Sequence, residues 1–187
     1  RYGDITKLDG SELEQIDLIC GGFPCQDVSN AGSGRGITGS RSGLWKEYLR
    51  LVRFLRPGVI LVENVAALLG RGFGRVLGDL AAIGFDAEWE CLPASAFGAL
   101  HRRDRLWIIA YPAGQGLEGL WPERRLAESQ GQIQARWASW WATQPTVCRV
   151  ADGISSRVDR LRGLGNAVVP QVAEVIGRLV VEHAAYN

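Results

Sequence analysis

The hydrophobic pattern divides the chain into short strand-like runs and longer helix-like stretches, most of them closed by glycine or proline. Asp17-Leu18-Ile19-Cys20 is a short apolar run stopped by Gly21-Gly22 and reads as a buried strand. Residues 44–56 put Leu44, Tyr48, Leu51, Val52 and Leu55 on one side of a helix, which Pro57-Gly58 ends. Val59-Ile60-Leu61-Val62 is a continuous apolar run, as expected for a strand covered on both faces, and Glu63-Asn64 stands at its end. A helix over 74–83 stops at Gly84, a strand follows over about 86–92, and Leu106–Ala110 gives another. Residues 11–16 read as a helical turn capped by Ser11 with Glu14 as its capping-box partner. A last helix runs from about 171 to 184.

Alternation of strand and helix predicts an α/β fold built on an open, mostly parallel sheet with crossover helices. The periodicity breaks down after Tyr111. That gives an α/β region over 1–111, an irregular one over 112–148 and a closing segment over 149–187.

Composition adds limits rather than a function. At 187 residues the chain is long enough for one sizeable core. It contains no run of about 18 apolar residues, so no membrane span is indicated. A net charge of +1 does not by itself announce a nucleic-acid binder. Arginine far outnumbers lysine, with clusters at 102, 103 and 105 and at 149, 157, 160 and 162, and arginine forks suit phosphates and guanine edges. Cys20, Cys25, Cys91 and Cys148 form no Cys-x-x-Cys pair, and His101 and His183 complete no zinc pattern, so no metal site is expected. Reduced thiols in a cytoplasmic compartment are the better reading, with Cys20 and Cys91 as small core residues.

Cys25 is the candidate for chemistry. It follows a strand end, where open α/β sheets bind their ligands, and Pro24 stiffens the turn that carries it. The loop over 30–43 holds five glycines but lacks the Gly-Lys-Ser/Thr ending of a P-loop; it reads as a linker or as a lid beside a nucleophile.

Taken together, these pieces resemble the cytosine-5 DNA methyltransferases of bacteria and phages. Gly22-Phe23-Pro24-Cys25-Gln26-x-x-Ser29 is similar to the family's nucleophile motif, and Glu63-Asn64-Val65 to its Glu-Asn-Val motif. His101-Arg102-Arg103-Asp104-Arg105 resembles its Gln-x-Arg-x-Arg motif, with histidine for glutamine. Arg157-x-x-Arg160-x-x-Gly163-Leu164-Gly165-Asn166-Ala167-Val168-x-Pro170 resembles its two C-terminal motifs.

The resemblance implies a Rossmann-like fold of the S-adenosylmethionine-dependent type and methyl transfer to carbon 5 of a flipped cytosine in double-stranded DNA. It implies Cys25 as the covalent nucleophile, Glu63 acting at ring nitrogen 3 with a raised pKa, Arg105 gripping the base's O2 and Arg103 serving phosphate or orientation. Asp4, Ile5, Pro24, Asn166, Ala167 and Val168 fall where the family binds cofactor. Gln26, Ser29, Arg35, Arg41, Arg157 and Arg160 are then candidates for DNA contact. The region over 112–148, with Trp137, Trp140 and Trp141, takes the place of target recognition. The family's first cofactor motif, Phe-x-Gly-x-Gly, does not occur here; the expectation is a chain that starts about 60 residues into the fold, partnered by a separate or missing N-terminal segment. Two other readings compete: a cysteine hydrolase using Cys25 and His101, and a DNA-binding module without catalysis.

Overall fold

The structure is a computed structural model, and it describes residues 2–24, 43–115, 131, 135–136, 138 and 167–184. The chain divides into two compact units, Arg1–Cys91 with Asp104–Gly119, and Leu92–Arg103 with Leu120–Asn187.

The first unit is a sheet backed by two helices. Strand β1 (Leu18–Gly22) leads to helix α1 (Leu44–Leu55), then β2 (Val59–Val65), α2 (Phe73–Ala81), β3 (Phe85–Pro93) and β4 (Asp104–Pro112). The strand order is β1-β2-β4-β3. β1 and β2 are parallel, with Gly22 beside Glu63, and β2 pairs antiparallel with β4, with Glu63 opposite Trp107. The open α/β sheet matches the expectation, but its topology is mixed. An apolar run announces a strand without saying which neighbour it will choose or in which direction.

α1 forms where the spacing predicts it, burying Trp45, Tyr48, Leu51, Val52 and Leu55. It ends at Arg56, whose backbone turns left-handed (φ 46°) and whose N–H donates to the Val52 carbonyl at 2.9 Å. This cap needs no glycine, because the Arg56 side chain donates to the Ile83 carbonyl and lies 5.0 Å over the Phe85 ring. α2 ends just before Gly84, whose φ of +82° few side chains would tolerate. Trp45, Tyr48 and Val52 of α1 and Phe73, Val76 and Leu80 of α2 share one core with Ile60 and Val62 of β2 and Leu106, Ile108 and Ala110 of β4. Alternation along a strand sends Leu61, Glu63, Arg105, Trp107 and Ile109 to the other face.

Two expectations fail in β1 and before it. Among the described residues β1 stands at the edge of the sheet, and of its five residues only Ile19 is even partly covered. Cys20 is therefore exposed, and Cys91 half-buried, rather than core residues. Upstream, the turn is a short 3₁₀ helix over Gly10–Glu12 capped by Asp9, whose carboxylate accepts from the Ser11 N–H, so Ser11 receives the cap instead of providing it.

In the second unit, a 3₁₀ turn (Ala94–Phe97) is closed by the Ala94 N–H donating to the Arg102 carbonyl. Helix α3 (Pro170–Ala184) buries Val172, Val175, Ile176, Leu179 and Val180. No helix among the described residues is long and apolar enough to cross a membrane.

Candidate active site

The strand ends of β1 and β2 bring two of the predicted motifs together. Gly22 closes β1 directly beside Glu63 of β2. A Cβ on Gly22 would lie 2.9 Å from the Glu63 backbone oxygen and 3.4 Å from its Oε2, so only glycine lets these strands approach this closely. Phe23 follows, buried against Trp45 with ring centroids 5.0 Å apart. The carbonyl of Phe23 forms the peptide bond to Pro24, and it accepts a hydrogen bond from the Asn64 amide at 3.2 Å. Asn64 is 3% exposed, and its Oδ1 accepts from the Val65 N–H at 2.9 Å. Both ends of this buried amide are thus satisfied, as burial demands. The turn entering Pro24-Cys25 is fastened to the strand that carries Glu63.

Arg105 reaches the same place from β4. Its Nε lies 2.9 Å from Glu63 Oε1, with both side chains more than four-fifths buried. Its Nη1 donates to the Asp104 carbonyl at 2.9 Å. The register explains the pairing: Arg105 stands opposite Val65 and Glu63 opposite Trp107, so the two are diagonal neighbours on one sheet face. An adjoining guanidinium favours the charged carboxylate. The described arrangement therefore pairs Glu63 with Arg105 at the strand end.

The other predicted residues lie elsewhere. Asp4 accepts from the Thr6 N–H at 3.0 Å and the Thr6 hydroxyl at 2.9 Å, and these two bonds, the backbone one first, hold its exposed carboxyl below the usual carboxylate range. The Ile5 carbonyl, with that of Leu8, accepts from Arg50 of α1 at 3.0 and 2.9 Å, pinning the N-terminal segment to the helix. In the second unit Arg103, at φ 39°, donates to the Ala167 carbonyl at 2.5 Å. Two predicted residues thus meet, with Arg103 as a backbone anchor for Ala167, while Val168 is exposed. Cys25, Gln26, Ser29, Arg35, Arg41, Arg157, Arg160, Asn166 and the tryptophan cluster lie outside the described residues. Among the described residues, no group of three His, Cys, Asp or Glu side chains is placed to hold a metal.

Sequence reasoning missed three participants. Trp107 is 3% exposed and its indole N–H has no acceptor among the described residues, although it sits directly opposite Glu63. Gly22 looked like a strand stop and is a contact surface. Arg50 looked like one more helix arginine; its Glu47 partner three residues earlier, at 2.8 Å, was the available sign of a fixed guanidinium.

Comparison with known proteins agrees with the motif order. Residues 1–144 match the family described as C-5 cytosine-specific DNA methylase. The type II methyltransferase M.BsuFI of Bacillus subtilis is 32% identical over 120 residues, covering 62% of this chain and 29% of that protein. The type II methyltransferase M1.ScrFI of Lactococcus lactis subsp. cremoris is 34% identical over 114 residues, covering 59% and 29%. The orphan methyltransferase M.SPRI of Bacillus phage SPR is 32% identical over 112 residues, covering 58% and 26%. Among solved structures, the S. pombe Dnmt2 methyltransferase aligns with a TM-score of 0.49 and 21% identity, over 62% of this chain and 37% of that one. The chain thus spans under a third of the length of these curated relatives. With the match covering residues 1–144 of 187, the chain belongs to the C-5 cytosine-specific DNA methylase family.

Proposed function

We propose that this chain acts in cytosine-5 methylation of double-stranded DNA, with S-adenosylmethionine as methyl donor and a flipped cytosine as acceptor. One observation carries the reading. Glu63, paired with Arg105, sits on the strand that Gly22 packs against and that the Asn64–Phe23 bond ties to Phe23, two residues before Cys25 in sequence. Carbon 5 of cytosine is a poor nucleophile until something adds to carbon 6. The Cys25 thiolate is the group for that addition. Arg105 then exchanges Glu63 for the base's O2, and the released Glu63 takes a proton from solvent and shares it with ring nitrogen 3. Once carbon 5 is methylated, its proton leaves to a water base, the Cys25–carbon 6 bond breaks and the thiolate is regenerated. That exchange makes the Glu63–Arg105 pairing part of the reaction.

S-adenosylmethionine supplies an electrophilic methyl group when bound. The residues for holding it are Asp4, Ile5, Pro24, Asn166, Ala167 and Val168. Asp4 fits such a ligand: its ionised, exposed carboxylate suits amine and hydroxyl donors. The type II and phage methyltransferase relatives support placing the reaction in a bacterial or phage-infected cytoplasm.

The test is a duplex carrying 5-fluorocytosine, incubated with the chain and S-adenosylmethionine. The expected result is a covalent adduct mapped by peptide sequencing to Cys25 and absent in Cys25→Ser. An intact duplex that binds without forming an adduct would sink catalysis and leave the non-catalytic DNA-binding reading standing.

A further inference from the structure

A groove of about 710 Å³ runs along the outer side of α1, away from the core-facing residues of that helix. Four cations line it, Lys46, Arg50 and Arg53 from α1 and Arg75 from α2, against two acids, Asp9 and Asp79. The acids are already engaged. Asp79 accepts from the Trp45 indole at 2.9 Å and from Arg75 at 2.8 Å, and Asp9 accepts from the Ser11 N–H at 3.1 Å. Arg50 is held by Glu47 and two carbonyls. Lys46 and Arg53 are exposed and make no ion pair or hydrogen bond among the described residues. The groove is therefore left with a positive charge that its own carboxylates do not meet, in a chain whose net charge is only +1.

The spacing gives that charge a direction. Lys46, Arg50 and Arg53 are four and three residues apart, so they form one stripe, and Lys46 and Arg53 stand about 10 Å apart along the axis. That length spans about three phosphates of one strand in a duplex. Because β1 and β2 are parallel, α1 must return the chain from the Gly22 end of the sheet to the opposite end. The stripe thus starts at the end that holds Glu63 and Arg105 and leads away from it. We propose that the α1 groove binds the sugar–phosphate backbone of DNA flanking the target site, through Lys46 and Arg53. This rests on the DNA-methylation reading and extends it to a second contact outside the strand-end site. Phosphates are favoured over an acidic protein surface because the stripe follows the helix axis and begins at the end of the sheet where the proposed cytosine site stands.

The experiment is fluorescence anisotropy with two duplexes of about 12 and about 30 base pairs, titrated at about 50 and about 200 mM salt. The full chain is compared with Lys46→Gln/Arg53→Gln and with Lys7→Gln, an exposed lysine outside the groove, after circular dichroism shows equal melting. The groove pair is expected to bind the short duplex as the wild type does. On the long duplex its salt slope should fall by about two, making its loss of affinity between the two salts about tenfold smaller than the wild type's. Lys7→Gln should match the wild type throughout. If both side chains are neutralised with no change on the long duplex, or with equal loss on both lengths, the groove contact is overturned. Binding of an acidic peptide in place of DNA, abolished by the same pair, would also overturn it. A wild-type chain that binds neither duplex sinks the parent reading, a distinct outcome. Lys46→Glu/Arg53→Glu must deepen any loss seen with glutamine; a reversal that does not would again count against the groove.

Discussion

Arg105 meets Glu63 from the next strand of the sheet, with its Nε 2.9 Å from Oε1. With both side chains largely buried, removing one leaves the other a poorly solvated charge. Arg105→Gln should lower stability by about 1–3 kcal/mol. In a cycle with Glu63→Gln the two changes should couple by about 0.5–3 kcal/mol in urea unfolding. Strict additivity would mean that the pair is not formed in solution. Methyl transfer, measured with labelled S-adenosylmethionine, should fall by about a hundredfold or more if the guanidinium takes its proposed place at the base's O2.

Asn64 fastens Phe23 and satisfies Val65, so its replacement opens two buried backbone groups at once. Asn64→Leu should cost about 2–4 kcal/mol, from two orphaned groups of about 1–2 kcal/mol each. Asn64→Asp keeps the acceptor for Val65 and loses the donor to Phe23. With a carboxylate oxygen facing the Phe23 carbonyl in a site only 3% exposed, it should lose stability and also slow thiol alkylation or adduct formation at Cys25. Equal rates in wild type and Asn64→Asp would show that the fastening does not govern the turn.

Gly22→Ala tests the closest approach in the site. The added methyl group meets a backbone oxygen at 2.9 Å, which cannot rotate away as a side chain can. The strands must separate, at a cost of about 1–3 kcal/mol in thermal or urea unfolding. Gly43→Ala, where a Cβ meets nothing within 4 Å, is the matched control and should be close to neutral. A neutral Gly22→Ala would contradict the described register.

Trp107 offers the opposite sign. Its buried N–H lacks an acceptor among the described residues, so Trp107→Phe removes that unpaired donor along with part of a ring. Relief of about 1–3 kcal/mol offsets the lost contacts, and the net change should stay within about 1 kcal/mol. A loss several times larger would show that the indole N–H is paired in solution.

Much of the first unit was legible in the sequence because its signals are local. The α1 face follows from the spacing of Tyr48, Leu51, Val52 and Leu55, and β2 from four consecutive apolar residues. Direction and neighbours were not legible, since β4 carries the same kind of apolar run whichever way it pairs. β1 was misread as buried for a related reason: apolar content records what a strand can be covered by, and here it lies at the sheet's edge. In the site, motif order picked out Glu63, Asn64 and Arg105 but not how they act on each other. Asn64 looked like a companion of Glu63 and is the tether of Phe23; Arg103, a candidate for phosphate or for orienting the site, donates to the Ala167 carbonyl. Such roles depend on what comes near in space, which spacing along the chain does not record.

The exposed edge at Leu18–Gly22 has a practical meaning for anyone who handles this chain. Its five residues include neither a lysine nor a proline, the usual guards of a strand margin, and Leu18 is 41% exposed. A margin of that kind accepts whichever extended segment arrives first, including the same segment of another copy. Yield and monodispersity should therefore follow concentration during refolding, and the exposed Cys20 on that margin calls for reductant throughout purification.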